Sequence, residues 1–260
     1  MVEQDVSFVE EEKPRKFQLK WFFPLFFKPG KALAEIGEKN YSVWLAPLVL
    51  LMVSALVLVL VSVPIISAAA PQVTPPEGFE YYSPQQQQQF SEAVGVNSSP
   101  MVTTVFPLVG KFLGIWIGWF LLGSILHLSL TLNGSRSSNR SALNIVAWAS
   151  LPFIVRDIVQ IFAILISHQI IKGPGLSGFM AEGVTGFQAF LTALLAFVDI
   201  YLIWQIILIG IGAIKISGLK AGKAWLATLA AILIFLALKA IPGLITSQLS
   251  GLSTGGFFFF

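Results

Sequence analysis

Residues 43–66 read VWLAPLVLLMVSALVLVLVSVPII, a run without one charged side chain. A hydrocarbon core about 30 Å thick is crossed by roughly 20 apolar residues in helical conformation, so this stretch is a membrane-spanning helix. Four further segments reach that length, near residues 111–132, 143–171, 187–216 and 224–249. The third and fourth spans exceed the minimum and are expected to tilt or project. The fold class that follows is all-α, a polytopic helical membrane bundle with about five transmembrane helices.

Composition points the same way. Of 260 residues 55% are hydrophobic and 11% charged, and the mean hydropathy is +0.80, whereas soluble domains carry about 25% charged residues. Such a chain cannot cover a water-facing surface, and the spans leave no room for a separate soluble core. The net charge of +3 sits at span boundaries, which points to the membrane surface and not to nucleic acid. The absence of cysteine excludes disulfide frameworks and thiolate chemistry.

Outside the spans, residues 1–20 mix Glu10, Glu11 and Glu12 with Lys13, Arg15 and Lys16 and are expected to be a disordered tail. Residues 21–40, WFFPLFFKPGKALAEIGEKN, place Leu33 and Ile36 three apart among Lys31, Glu35, Glu38 and Lys39. That spacing predicts a short amphipathic helix lying on the membrane surface, within a cytoplasmic segment 1–42 that precedes a membrane domain 43–250. Residues 67–100 hold five prolines, a five-glutamine run and three acids but no Lys or Arg, and read as a flexible extracytoplasmic loop. Ser67-Ala68-Ala69-Ala70 resembles a signal cleavage site, but the preceding apolar run and its leader are too long for a secretory signal. No internal repeat stands out.

Lys and Arg counts fix the expected orientation. Seven precede the first span, Arg136 and Arg140 lie in one loop, and Lys215, Lys220 and Lys223 in another. The opposite side holds Lys172 and the boundary residue Lys111. The N-terminus is therefore expected in the cytoplasm and the C-terminus outside.

Several patches together resemble the Yip family of five-span membrane proteins. They are Phe27-Lys28-Pro29-Gly30-Lys31-Ala32-Leu33 before the first span, then Leu126-His127-Leu128 followed by Asn133-Gly134-Ser135. Ala147-Trp148-Ala149-Ser150-Leu151-Pro152 and Asp199-Ile200-Tyr201-Leu202-Ile203-Trp204 complete the set. The resemblance covers roughly residues 21–250. It implies a helical bundle with a cytoplasmic N-terminus and, in eukaryotic relatives, vesicle traffic and Rab binding. The chain lacks the Asp-Leu-Tyr-Gly-Pro-type signature of those relatives, which makes it similar to prokaryotic members and implies a prokaryotic plasma membrane.

Ionisable residues inside the spans are the candidate site: Arg156 and Asp157 in the third, Asp199 in the fourth and Lys239 in the fifth. At about 1.5 Å per residue all four fall near mid-membrane. Neighbours in sequence face different directions on a helix, so Arg156 and Asp157 each look to another helix, and Arg156 is expected to pair with Asp199. Pairing that holds the bundle together is one reading; a proton or ion pathway is the other. Gly110, Gly114 and Gly118 recur every four residues, a spacing for close helix packing or dimerisation. Pro152 should kink the third span just before Arg156. His127 and His168 lie at different depths, and no HExxH motif is present, so no catalytic, metal or cofactor residue is assigned.

The expected function is non-enzymatic: a membrane scaffold or adaptor that organises an unidentified membrane or cytoplasmic protein. A transporter or channel component using the central charges is the alternative. The bilayer is a partner in either case, a second copy of the chain is a further one, and nucleic acid is not. Reporter fusions at residues 20 and 255 are expected to report different compartments; the same compartment for both would contradict an odd number of spans.

Overall fold

The structure is a computed structural model that describes residues 17–39, 41–69, 78–97, 99–171, 173–181 and 184–250. Most of the expected tail (1–20) and the residues after 250 lie outside the described residues, as do positions 70–77 of the expected loop. Helices α1 (Phe22–Phe27) and α2 (Pro29–Gly37) precede α3 (Leu45–Ala69). Then come α4 (Pro84–Asn97), α5 (Phe106–Leu132), α6 (Asn139–Ala149) and α7 (Pro152–Ser167). Helices α8 (Gly186–Leu195), α9 (Ile200–Ser217) and α10 (Ala221–Ser250) follow. Among the described residues five helical segments are long and apolar enough to cross a membrane: 45–67, 101–132, 139–167, 200–217 and 221–245.

The bundle packs around α3, α5, α9 and α10. Helix α3 lies against α5 and α7, α5 against α6 and α10, and α9 against α2, α6, α7 and α10. Outward positions such as Leu113, Ile117 and Phe120 on α5 and Leu226, Leu229 and Leu233 on α10 are exposed and apolar. A lipid-facing helix keeps such residues on its outer surface, where water would penalise them.

Tryptophans knit the end of the bundle where α3 begins. Trp44 lies 4.7 Å from Trp119 and 5.6 Å from Trp116, centroid to centroid. The Trp119 indole donates to the Leu143 carbonyl at 2.8 Å. Fully buried Asn144 accepts from the Val43 amide at 3.0 Å and donates to the Tyr41 carbonyl at 3.1 Å. Trp148 donates to the Val43 carbonyl at 3.0 Å. These bonds fix the entry of α3 against α6, where the chain has no helical partner for its own backbone groups.

The N-terminal segment forms a helix, α2, with its apolar face packed on the bundle. Leu33 and Ile36 are buried, as the amphipathic pattern requires, but the surface that covers them is protein. Helix α2 packs on α6 and α9, and Ser141 donates to the Gly37 carbonyl at 2.9 Å. Trp21 stands edge-on to Trp148 and Phe26 to Trp204. The aromatic residues ahead of α2 anchor it to the bundle.

The stretch read as a flexible loop contains α4. Its start carries a capping box: the Ser83 hydroxyl accepts from the Gln86 amide and the Gln86 side chain accepts from the Ser83 amide at 3.0 Å, with Pro84 at the first helical position. Glutamine is a good helix former once such a cap is present.

The third span breaks at Ser150–Leu151, and Pro152 opens α7. Leu151 donates to the Trp148 carbonyl at 3.2 Å, so the acceptor that Pro152 cannot serve is satisfied by a tighter turn. The expected fourth span, 187–216, is divided: α8 ends at Leu195 and α9 begins at Ile200. Gly175 has φ +60° and a side chain there would meet the Val198, Leu195 and Ala196 carbonyls within 2.9 Å, so only glycine lets the preceding loop close on this break.

The glycine spacing also sorts differently from expectation. A side chain at Gly110 or Gly114 would meet nothing within 4 Å, and one at Gly118 would meet only Phe235 at 3.6 Å. The close approach is at Gly123, where a Cβ would stand 2.6 Å from Leu143 Cδ2 and 3.2 Å from its backbone. Gly123→Leu is therefore expected to lose folded protein, measured by thermal unfolding and monodispersity in detergent, while Gly114→Leu folds as the wild type does. Equal loss in both variants would contradict this packing.

Candidate functional site

Where the helices break, polar and charged side chains come to one level. Asp157 is buried on α7, and its Oδ2 accepts from the Ser54 hydroxyl of α3 at 2.6 Å. Arg156, one residue earlier, points elsewhere: its Nη1 lies 3.6 Å from Asp199 Oδ2. Asp199 is not inside a helix, as the unbroken fourth span implied. It is the N-cap of α9, in extended conformation, and its Oδ1 accepts from the Leu202 amide at 2.8 Å. One carboxylate oxygen thus caps a helix and the other faces a guanidinium. Aspartate suits this place because it satisfies an orphan amide and complements the positive end of the α9 dipole.

Other backbone groups of the break have partners as well. Val198 donates to the Leu195 carbonyl at 3.0 Å, and its own carbonyl accepts from Leu176 at 3.0 Å. Hydrocarbon offers no water for such groups, so a broken span survives only where protein supplies the partners.

The cations are held partly by rings. Arg156 Cζ lies 4.5 Å from the Phe153 centroid, one turn back on α7. Lys239 Nζ lies 4.1 Å from the Phe197 centroid and 5.9 Å from that of Phe235. An ammonium over an aromatic face is stabilised by the ring quadrupole, more so when it is out of water. Lys239 also lies within coulombic reach of Asp199 and Arg156. Arg156 Nε is buried without a hydrogen-bond partner among the described residues.

Sequence reasoning placed Lys111 at a membrane boundary, yet it lies within coulombic reach of both Asp157 and Arg156. With it, three basic residues (Lys111, Arg156, Lys239) and two acidic ones (Asp157, Asp199) act on one another in this layer. Its position in the first turns of a long apolar helix was the available signal. One level toward the other end, buried Gln205 donates to Ser150 at 2.9 Å and extends the polar seam between α6 and α9.

The histidines stay apart from this layer. His127 is half-buried on α5 with Nδ1 unpartnered among the described residues, and His168 is the left-handed residue that ends α7. Among the described residues no group of three His, Asp or Glu is placed to hold a metal ion.

Together these features define a polytopic helical membrane protein, five apolar helices joined by an ionic layer. A family model for the Yip1 domain matches residues 23–241, and the chain belongs to that family. No curated protein and no solved structure matches it.

Because Asp199 has two tasks, its substitutions separate them. Asp199→Leu removes cap and counter-ion together and is expected to cost about 3–5 kcal/mol for the stranded charge plus about 1 kcal/mol for the cap. Asp199→Asn keeps an oxygen for the Leu202 amide, so Asp199→Asn with Arg156→Leu should recover most of the thermal stability in detergent. Recovery no better than the sum of the single losses would contradict the pairing.

Proposed function

We propose that this Yip1-domain protein is a non-enzymatic membrane scaffold, with its ionic layer serving to lock the helices in one arrangement that partners can read. The observation that carries this reading is the direction of the contacts: Asp157 is bonded to Ser54, Asp199 to Arg156 and Leu202, and Lys239 to rings. Charges committed to helix–helix contacts are poor carriers, since a relay needs groups free to exchange protons with water. Family membership supports a place among trafficking-related membrane proteins. The N-terminus faces the cytoplasm in this proposal, and the segment 17–39 with the basic α9–α10 loop forms the surface offered to a partner.

One observation favours the alternative of a transporter component. Discontinuous spans beside buried charges are a recurring architecture of transport sites, and α8 and α9 meet at Asp199.

Crosslinking in native membranes followed by purification in mild detergent separates the two. The scaffold reading expects a membrane protein recovered at fixed stoichiometry, and recovered equally with the Arg156→Leu/Asp199→Asn variant. Proton or ion flux in proteoliposomes that this variant abolishes, without any stoichiometric partner, would overturn it.

A further inference from the structure

A second charged feature lies away from the ionic layer, at the corner where α1 turns into α2. The turn is made at Lys28, whose amide donates to the Pro24 carbonyl at 2.7 Å. It leaves an open cleft of about 200 Å³ lined by Lys20, Trp21, Lys28, Lys31 and Glu35, among others. Lys28, Lys31 and Glu35 follow the three- and four-residue spacing of one helix face. Lys20 reaches the cleft from the other side, from the residue before Trp21.

We propose that this cleft binds the phosphate of an anionic phospholipid headgroup.

The charge is right for a phosphate. Three lysines face one glutamate, a formal +2. The glutamate is already engaged: Trp21 Nε1 donates to Glu35 Oε2 at 3.1 Å. Lys20 Nζ rests 4.5 Å from the Trp21 centroid, and among the described residues no carboxylate stands within 4.0 Å of the three ammonium groups. Trp21 is buried against Trp148, so the floor of the cleft is rigid. The lysines themselves are exposed and open to an anion.

What selects a lipid over a free phosphate is the apolar surface beside the lysines. Phe23 is 70% exposed and Phe27 80%, on the same short helix that borders the cleft. Phe17 and Leu19, just before Lys20, are exposed too. Cations with neighbouring aromatic and aliphatic side chains match the two zones of a bilayer interface, headgroup and acyl boundary. A soluble phosphate would use the lysines and leave the phenylalanines in water. The position agrees, because Gly37 at the end of α2 lies against Ile216 in the last turn of α9, beside the basic α9–α10 corner that carries Lys215, Lys220 and Lys223. The inference stands apart from the scaffold reading, since a transporter would bind lipid at this cleft equally well.

The test uses the full chain in nanodiscs of phosphatidylcholine with a minor fraction of phosphatidylglycerol, with native mass spectrometry of the lipids retained on release. The wild type is expected to retain phosphatidylglycerol with a preference on the order of tenfold over its share. K20Q/K28Q/K31Q should lose that preference and K20R/K28R/K31R should keep it. K215Q/K220Q/K223Q removes the same number of charges from exposed residues at the neighbouring α9–α10 corner and should keep it as well. Equal loss in the two glutamine variants would overturn the proposal, because diffuse charge and not the cleft would then attract the lipid. Displacement of the lipid by millimolar inorganic phosphate would overturn the lipid assignment in favour of an ion site.

Discussion

Every backbone amide and carbonyl that enters hydrocarbon needs a partner from the protein, and this chain interrupts its helices repeatedly. Each interruption is closed by a side chain or by a tightened turn. At the start of α3 the partners are Asn144 and Trp148, which hold the backbone of Tyr41 and Val43. Before α7, Leu151 bonds back to Trp148, and before α9 the Asp199 carboxylate takes the Leu202 amide. The bundle is organised around these closures, because each one ties an element to a neighbour distant in sequence or sets the direction of the helix that follows.

Asp199 shows how capping and ion pairing reinforce each other. A carboxylate placed as an N-cap must be charged to serve best, and a charge at that depth is costly unless a cation stands beside it. Arg156 supplies the cation, Phe153 supports its guanidinium, and Lys239 adds positive potential from α10. The neighbouring Asp157 faces the other way, toward α3, so one turn of α7 bonds outward in two directions. The layer therefore joins α3, α7, α9 and α10. The family match describes the same architecture at the level of sequence, since it runs from within α1 to within α10.

Much of this was legible in the residues. Apolar run length reported the five spans because hydrophobic thickness sets it directly, and Pro152 marked a helix break because proline cannot donate there. The break before Asp199 was hidden, since Ala196, Phe197 and Val198 are as apolar as any helical residues and hydropathy does not register a turn. Asp199 itself carried the signal: an acid immediately before a long apolar run is a helix start. The Ser83–Gln86 capping box was likewise readable but was outweighed by the proline and glutamine content around it. Glycine spacing says which glycines share a face and not what that face meets; within the chain the close contact on α5 is at Gly123, which has no partner in the motif and has Leu143 in the fold. Lys111 was assigned to a boundary because only the third dimension brings it to Asp157.

An ionic layer that holds the helices, as proposed above, is closed to water at the Ser54–Asp157 contact. The chain contains no cysteine, so a single Ser54→Cys substitution reports on the site without background. Ser54 is buried against Asp157, and a thiol replaces the hydroxyl with little change in size. Native membranes carrying this variant are treated from both sides with a charged thiol-modifying reagent, with Arg136→Cys in the exposed α5–α6 loop as the reference. The structure predicts that the thiol at position 54 stays unmodified until the protein is denatured, while the loop thiol reacts at once. Modification at position 54 at a rate near that of the loop would mean that water reaches Asp157, and would contradict the claim.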